Sequence, residues 1–317
     1  MKRITSNILV LAIIAVLAGV SGAQATIFTF TPFDVPDSTF TEAFGINNSG
    51  QMAGVSSGPA GEASFFYNGG GFTNFIYPGK IDTEARSLNN KGQMVGFFEN
   101  KFGGTVSGFF YNGRGFTTLN VLGIGLDTFA QGINDSGQIV GFTQNRTSFT
   151  QHGFLFNGAT ISPFDVPGAT STAALDINNL GQIVGSFAQG GSTHGFIKTG
   201  ATFTTLDVPK AIFTQITGIN ELGHVVGSFI DSAVTQHGFY YDGTSFTILN
   251  FPGSVNTIAN GINDLDMIVG QYLDFEGGTT HAFLAVDPPA VPLPPTFLLL
   301  GSGLLGLAGW RFRLQKS

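Results

Sequence analysis

The sequence predicts an all-β fold, a six-bladed β-propeller of four-stranded blades, and three observations lead to it. A ten-residue segment first seen at 45–54 recurs five more times. Each copy is flanked by the same strand-like runs. The 317 residues include 46 Gly and 33 Phe but only 10% charged residues, which suits short strands and tight turns better than helices. The alternative is an open β repeat array, which would need caps at both ends.

Residues 1–25 have the pattern of a signal peptide. Lys2 and Arg3 precede an apolar run at 8–20, and Ala23 and Ala25 occupy the positions that a signal peptidase reads. We therefore expect export of the chain, with cleavage after Ala25.

The repeats fill residues 26–288, which we predict to be one domain. The most regular feature of each repeat is an Ile-Asn or Leu-Asn pair, and we call its asparagine the marker asparagine. Successive marker asparagines lie 42 to 45 residues apart, a period typical of propeller blades. They are Asn47, Asn89, Asn134, Asn178, Asn220 and Asn263.

Each repeat is predicted to contain four strands. Strand one is a Phe-Thr-x-Leu-Asp-Val run such as 203–208, and strand two ends at the marker asparagine. Strand three is a Gln-Ile-Val-Gly run such as 138–141, and strand four is a Gly-Phe-Leu-Phe run such as 153–156, closed by Asn-Gly. The pattern leaves open which strand is innermost, and whether the first and last blades share strands.

The turn after each marker asparagine has a physical explanation. An Asn side chain can accept a hydrogen bond from the backbone two residues on, and a Gly three residues later adopts positive φ without a Cβ clash. We therefore expect a structural role for the marker asparagines. The sixth copy has Asp266 where the Gly is expected, which predicts a turn that is looser or differently shaped.

Strand four carries a recognisable triplet. His281 opens a His-Ala-Phe triplet, whereas His152, His194 and His237 precede Gly-Phe, and the first two repeats have 63–65 and 107–109 without His. The repeat resembles the HAF family of extracellular repeats, named for this triplet, over nearly all of residues 27–287. The resemblance implies a surface location and no particular chemistry.

Residues 289–317 form a separate C-terminal tail. An apolar run at 296–310 is followed by Arg311, Arg313 and Lys316, which favours a cytoplasmic C-terminus. As a helix, the run would be roughly 22 Å long, short of the ~30 Å of a bilayer core. It therefore indicates a sorting helix held in the membrane for a time rather than a durable anchor.

The tail opens with Val291, Pro292, Leu293 and Pro294. The layout of motif, apolar run and basic end resembles the PEP-CTERM sorting domain of Gram-negative bacteria, which the membrane protease exosortase reads. The usual opening is Val-Pro-Glu-Pro, so Leu293 replaces the Glu. The resemblance implies a signal peptidase and an exosortase-like protease as partners. It also implies a cell-surface or extracellular location after transient retention in the inner membrane.

Charge and cysteine content exclude several functions. Between the two terminal segments lie eight basic and 20 acidic residues, and such a surface repels nucleic acid. The absence of Cys excludes disulfides, thiolate catalysis and Cys-ligated zinc. We expect no cofactor.

The histidines are weak site candidates. His152, His194, His237 and His281 share one repeat position, and equivalent positions on successive blades diverge unless they line the central channel. We therefore expect edge histidines that bond neighbouring backbone, and no metal site. His224 replaces a Gln found in four other repeats and is expected to face solvent, with Glu221 as a weak candidate partner. No catalytic residue is predicted.

Asp34, Asp165 and Asp207 also share a repeat position, in strand one. If strand one is innermost, these carboxylates rim the channel, where they could bind a cation or a sugar. Otherwise they cap the turn before Val-Pro.

Two functions follow from these patterns. The first is a non-enzymatic surface or matrix protein with a binding or structural role, whose candidate partners are exopolysaccharide or other surface proteins. It is favoured because the distinctive residues are repeated, as scaffold residues are. The alternative is a secreted propeller hydrolase or lyase acting on polysaccharide, which would need a non-repeated cluster of acid, base and cation groups.

Overall fold

The computed structural model describes residues 28–59, 61–121, 126–275 and 277–287. Every regular element in these ranges is a β-strand, and four-stranded antiparallel units are arranged like the blades of a propeller. The prediction of an all-β repeat fold is confirmed.

The strands group into blades along the chain. Blade 1 contains β2 (Phe40–Ile46), β3 (Met52–Gly58), β4 (Gly61–Tyr67) and β5 (Phe72–Phe75). Blade 2 contains β6 (Ile81–Leu88), β7 (Met94–Glu99), β8 (Val106–Tyr111) and β9 (Phe116–Leu119). Blade 3 contains β10 (Leu126–Ile133), β11 (Ile139–Asn145), β12 (Gln151–Phe156) and β13 (Ile161–Phe164).

The second half of the chain repeats this pattern. Blade 4 contains β14 (Ser171–Ile177), β15 (Ile183–Gln189), β16 (Ser192–Thr199) and β17 (Thr202–Thr205). Blade 5 contains β18 (Phe213–Ile219), β19 (Val225–Ile230), β20 (Gln236–Tyr241) and β21 (Phe246–Leu249). Blade 6 contains β22 (Ser254–Ile262), β23 (Ile268–Asp274), β24 (Thr280–Val286) and, from the start of the chain, β1 (Thr29–Phe33).

The strand order within a blade follows the chain. In blade 1 the order is β2-β3-β4-β5, so the strand that ends at the marker asparagine comes first and the Phe-Thr run comes last. The first strands of neighbouring blades contact one another, from β2 through to β22 and back to β2. Strand two of the repeat is therefore innermost, and strand one lies at the outer edge of the preceding blade.

Two pairings join parts of the sheet system that are distant in sequence. β1 pairs antiparallel with β24, from Thr29 opposite Val286 to Phe33 opposite Ala282. Blades 4 and 5 are linked into one eight-stranded sheet by a single parallel bridge between Thr193 and Phe213.

A Gly–Phe pair forms the centre of each blade. In blade 3, Gly141 on the second strand lies directly opposite Phe154 on the third. A Cβ on Gly141 would stand 2.0 Å from the carbonyl oxygen of Phe129 and 2.9 Å from the Phe154 ring, so only glycine fits. The six phenylalanines of these pairs are fully buried, and they are Phe65, Phe109, Phe154, Phe196, Phe239 and Phe283.

Each innermost strand carries a β-bulge just before its marker asparagine. In blade 1 the register shifts between Ala43 and Gly45, which leaves Phe44 unpaired. The same shift occurs in the other five blades. Such bulges bend a strand and turn a side chain out of its regular alternation.

Candidate functional site

The marker turns are built alike and lie on one face of the molecule, which we call the marker face. In blade 1, the Asn47 side-chain oxygen accepts hydrogen bonds from the backbone N–H groups of Ser49 and Gln51, each at 3.0 Å. Gly50 donates to the Asn47 carbonyl and has a φ of 72°.

The marker asparagines also join successive blades. The Nδ2 of each one donates to the backbone carbonyl of the marker asparagine in the next blade, at 3.0 to 3.1 Å. The last of these bonds runs from Asn263 to Asn47, so the six bonds form a closed cycle. All six marker asparagines are buried.

A second cycle lies beside the first. The residue after each marker asparagine donates its backbone N–H to a side-chain oxygen of its counterpart in the next blade, at 2.7 to 2.9 Å. Three of these residues are carboxylates, so this ring, which we call the carboxylate ring, is negatively charged. Its members are Asn48, Asn90, Asp135, Asn179, Glu221 and Asp264.

Inside these two cycles lies a central cavity of about 190 Å³. An engineered cavity of roughly 150 Å³ accepts benzene, so this volume is enough for one six-membered ring. The cavity is lined by the innermost strands of all six blades.

The bulge residues differ from one repeat to the next. All six of them line the cavity, and no two have the same side chain. They are Phe44, Arg86, Gln131, Leu175, Thr217 and Asn260. The cavity wall therefore combines apolar surface, amide, hydroxyl and guanidinium groups within a repeated frame.

Arg86, Glu84 and Glu42 form a charged cluster on the innermost strands of blades 1 and 2. Arg86 forms an ion pair of 3.1 Å with Glu84, and its guanidinium carbon lies 4.0 Å from the centre of the Phe44 ring. The Arg86 Nε is buried and makes no hydrogen bond with the described residues. Burial raises the pKa of the nearby Glu42 carboxyl and the Glu84 charge adds to this, whereas Arg86 opposes it.

Asp176 also belongs to the cavity lining. Four other repeats have Gly at its position, and the Gly132 backbone packs so closely that a Cβ there would stand 2.6 Å from the Asp176 Cα. The Asp176 carboxylate accepts a hydrogen bond from the Ile219 N–H at 3.0 Å. Burial nevertheless raises the pKa of Asp176 to about 7, and the negative charge of Glu221 adds to this.

The strand-one carboxylates do not rim the channel, because strand one is outermost. Each of them instead bonds a strand-four histidine beside it, through Nδ1 and a carboxylate oxygen. The pairs are His152–Asp165 at 2.9 Å, His194–Asp207 at 2.7 Å and His281–Asp34 at 2.8 Å. The fourth histidine, His237, bonds Asn250 at 2.9 Å. The expectation that these histidines bond neighbouring backbone is therefore corrected to side-chain pairing within the blade.

Two further expectations are wrong, and they concern one cluster. His224 is not solvent-facing but half-buried, and its partner is not Glu221 but Asp266 of the next blade, at 2.9 Å. The Tyr240 hydroxyl and the Asn220 amide also donate to Asp266. Burial raises the pKa of Tyr240, and the Asp266 charge contributes.

The sixth turn keeps the geometry of the others. Asp266 adopts a positive φ of 54° and donates its N–H to the Asn263 carbonyl at 3.1 Å, as Gly50 does to Asn47. The expectation of a looser or differently shaped turn is therefore wrong. The strained backbone of Asp266 is offset by the three hydrogen bonds that its carboxylate accepts.

The bulge residues and the pairing of His224 with Asp266 were not predicted from the sequence. An alignment of the six repeats carries a signal for both, because the bulge residues differ in every copy and His224 and Asp266 replace repeated residues in adjacent copies. Among the described residues, no three His, Asp or Glu side chains are grouped so that they could hold a metal ion.

The predicted terminal motifs lie outside the described residues. These are Ala23 and Ala25 of the signal peptide and Val291, Pro292, Leu293 and Pro294 of the sorting motif. Within the described ranges, no helix has the length and apolarity needed to cross a membrane.

Several solved structures share part of this architecture. A streptogramin B lyase has a TM-score of 0.48 at 11% identity, covering 83% of this chain and 99% of that one. A mutant of AofleA from Arthrobotrys oligospora scores 0.47 at 11% identity, covering 86% and 96%. A six-bladed β-propeller lectin from Aleuria aurantia scores 0.44 at 12% identity, covering 80% and 99%. No protein-family model and no curated protein matches the chain. Because these TM-scores lie below 0.5, the likenesses carry nothing about what this chain binds or catalyses.

Proposed function

We propose that the protein is an exported, non-enzymatic β-propeller of six blades, closed into a ring, whose central cavity binds a small polar ligand such as one sugar unit of an exopolysaccharide. The observation that carries this proposal is the convergence of six different bulge residues on one cavity, within a repeated frame of marker asparagines and Gly–Phe pairs.

Ring closure is supported by the pairing of the first strand with the last. An open array would leave β1 and β24 at opposite ends, whereas these strands are hydrogen-bonded along five residue pairs. The two cycles of hydrogen bonds return from blade 6 to blade 1 as well. A closed ring also leaves no long unpaired sheet edge.

The chemistry of the cavity suits a saccharide unit. Gln131, Thr217 and Asn260 offer amide and hydroxyl groups, and Phe44 and Leu175 offer apolar surface. Ligand sites commonly combine apolar walls with a few placed polar groups. The two cycles restrict the motion of the lining strands, so little ordering cost is expected on binding.

The proposal can be tested by measuring binding of the purified protein to a panel of mono- and oligosaccharides by calorimetry. We expect Gln131→Ala to weaken binding roughly 5- to 150-fold, because each lost hydrogen bond in a desolvated site costs roughly 1 to 3 kcal/mol. Asn74→Ala, an exposed amide on the outer strand β5, is the matched control and should bind normally. Equal affinity in both variants would exclude the cavity as the binding site.

The second candidate function is a hydrolase or lyase acting on polysaccharide. It is favoured by the group formed by Glu42, Glu84 and Arg86, which provides acid and cation groups and of which Arg86 lines the cavity. Glu42, with a raised pKa, has the property expected of a general acid. Turnover of purified exopolysaccharide that disappears in Glu42→Gln would favour this function, and bound but unaltered polysaccharide would favour the first.

We also propose removal of the signal peptide after Ala25 and sorting at Val291–Pro294 by an exosortase-like protease, which places the domain at the cell surface or outside the cell. The sequence patterns of both ends support this. The intact mass of the protein recovered from the cell surface is the test. A mass that includes both terminal segments contradicts the proposal.

A further inference from the structure

Three neighbouring marker turns expose a leucine at the same position. Leu180, Leu222 and Leu265 follow the carboxylate-ring residues of blades 4, 5 and 6, and they are 70%, 62% and 67% exposed. The equivalent positions of blades 1, 2 and 3 hold Ser49, Lys91 and Ser136. One half of the marker face therefore carries an apolar surface, which we call the leucine arc.

The leucine arc borders negative charge. Glu221 and Asp264 of the carboxylate ring immediately precede Leu222 and Leu265, and Asp135 lies on the same ring. Lys91 is the cation at the equivalent turn position, but it belongs to blade 2, three blades away from Leu222 of blade 5. Its ammonium group donates a hydrogen bond to the Asp135 carbonyl. The side of the ring next to the leucines is thus apolar and acidic.

The described chain leaves the molecule on this same face. β22 runs to the marker turn at Asn263, β23 runs away from it, and β24 returns, so that Val286 and Asp287 lie at the marker face of blade 6. Residue 296 follows nine residues later. Nine residues span up to roughly 30 Å, which is ample to reach the leucine arc.

We infer that the leucine arc is a docking surface for the chain's own C-terminal segment, with the apolar run at 296–310 on the leucines and Arg311, Arg313 and Lys316 against the carboxylate ring. The two surfaces match in both apolarity and charge. Tethering raises the effective concentration of the segment to the millimolar range, so even a weak contact is populated. Docking covers the apolar run whenever it is not in a membrane.

Charge disfavours the other occupants. An anionic bilayer surface attracts basic rather than acidic protein surfaces, and the carboxylate ring is acidic. A second copy using the same arc across a two-fold axis would bring two carboxylate rings face to face. The basic end of the chain's own tail meets neither obstacle.

The only tryptophan of the chain, Trp310, lies at the end of the apolar run and reports on docking. In lipid-free buffer without detergent, we expect blue-shifted Trp310 emission that does not depend on protein concentration. Leu180→Ser, Leu222→Ser and Leu265→Ser together, which give blades 4 to 6 the Ser of blades 1 and 3, should shift the emission to the red. The matched control combines Phe102→Ser and Val234→Ser, two exposed apolar residues on other loops, and should leave the emission unchanged.

Cross-linking provides a second measurement in this Cys-free chain. Ser302→Cys in the tail should form an intramolecular disulfide with Leu222→Cys or Leu265→Cys in higher yield than with Ser49→Cys or Ser136→Cys. Equal yields at all four positions, or emission that the leucine substitutions leave unchanged, would overturn the inference. So would a blue shift that appears only with added lipid vesicles or only at high protein concentration, which would identify a bilayer or a second copy as the occupant.

Discussion

Each marker asparagine makes contacts on two length scales with one carboxamide. Its oxygen closes a local turn, and its Nδ2 reaches the next blade, which is 42 to 45 residues away for five of them and 216 residues away for Asn263. Residues that depart from the repeat, such as Asp176, His224 and Asp266, lie close to this frame. At the scale of the single residue, testable differences are therefore expected where a repeated residue has been replaced.

Asp176 makes stability depend on pH. Its pKa is raised from 3.8 to about 7, so the folded state binds the proton more tightly than the unfolded state. The stability that it contributes is full below about pH 4 and is lost as pH rises through 7, at about 1.4 kcal/mol per pKa unit. Asp176→Asn should therefore be more stable than the native protein above pH 7, as measured by chemical denaturation across pH.

Asp242→Asn is the control for this measurement. Asp242 has a lowered pKa, because the Ser245 N–H donates to its carboxylate, and the equivalent turns of blades 1 to 3 have Asn at this position. Asp242→Asn should therefore lower the stability at neutral pH, where Asp176→Asn raises it. An Asp176→Asn variant whose stability differs from the native protein equally at all pH values would contradict the burial of this charge.

His224 and Asp266 should behave as a coupled pair. Asp266→Gly relieves the positive φ but leaves His224, Tyr240 and Asn220 without their shared acceptor, and we expect a net loss of about 1 to 3 kcal/mol. Adding His224→Gln restores the residue found in four other repeats, so the double variant should recover most of that loss. A double-mutant cycle by denaturation measures the coupling, and additive effects would show that the two side chains act independently.

At the scale of the element, the blade depends on its second strand passing close to its first. The glycine on each second strand lies against a backbone carbonyl of the bulged first strand and beneath a phenylalanine of the third. This arrangement allows a short, glycine-rich blade to bury a full aromatic ring. It also means that no residue larger than glycine fits at these six second-strand positions of the described sheets.

Gly141→Ala should be severely destabilising. The added Cβ would stand 2.0 Å from the Phe129 carbonyl oxygen, so the strands must separate and break ladder hydrogen bonds, at a cost of more than about 3 kcal/mol. Gly115→Ala is the control, because its Cβ would meet nothing within 4 Å and its φ is not positive. Thermal unfolding of both variants decides the matter, and similar melting temperatures would refute this account of the Gly–Phe pair.

The sequence predicted the strands and turns more accurately than the contacts between them. The marker spacing and the strand signatures predicted the 24 strands and their turns, because strand propensity and Asn-Gly chemistry act locally. Which strand is innermost, and the fact that the first strand completes the last blade, depend on pairing between distant parts of the chain. No local sequence pattern predicts such pairing. The partner of His224 is 42 residues away, and the bulges become visible only when the six copies are aligned.

At the scale of the whole molecule, each blade of the proposed ring supports its neighbours. The six clusters of buried side chains draw on adjacent blades, as where Ala43 and Phe65 of blade 1 pack with Val269 and Ala282 of blade 6. Removing a blade therefore disrupts two packed interfaces rather than shortening a stack.

Deleting residues 159–200, one repeat length, should cause aggregation or loss of cooperative unfolding. The remaining blades would have to close at a different angle, which the two hydrogen-bond cycles oppose. Inserting Gly-Ser residues beside Gly190, in the exposed β15–β16 loop, is the control and should cost little, since loop-closure entropy rises by only ~0.6 kcal/mol per doubling of length. Scanning calorimetry distinguishes the outcomes. A soluble deletion variant that loses only about one-sixth of the unfolding enthalpy would support an open stack.

The pairing of β1 with β24 has a consequence for how the chain is made. β1 and β24 are the first and last strands of the described chain, and about 250 residues separate them. β1 cannot pair with β24 until almost the whole domain has been made, so blade 6 is completed last during synthesis. A contact between segments so distant in sequence slows folding. The rate at which the domain reaches its native state is therefore expected to depend on the arrival of its final strand.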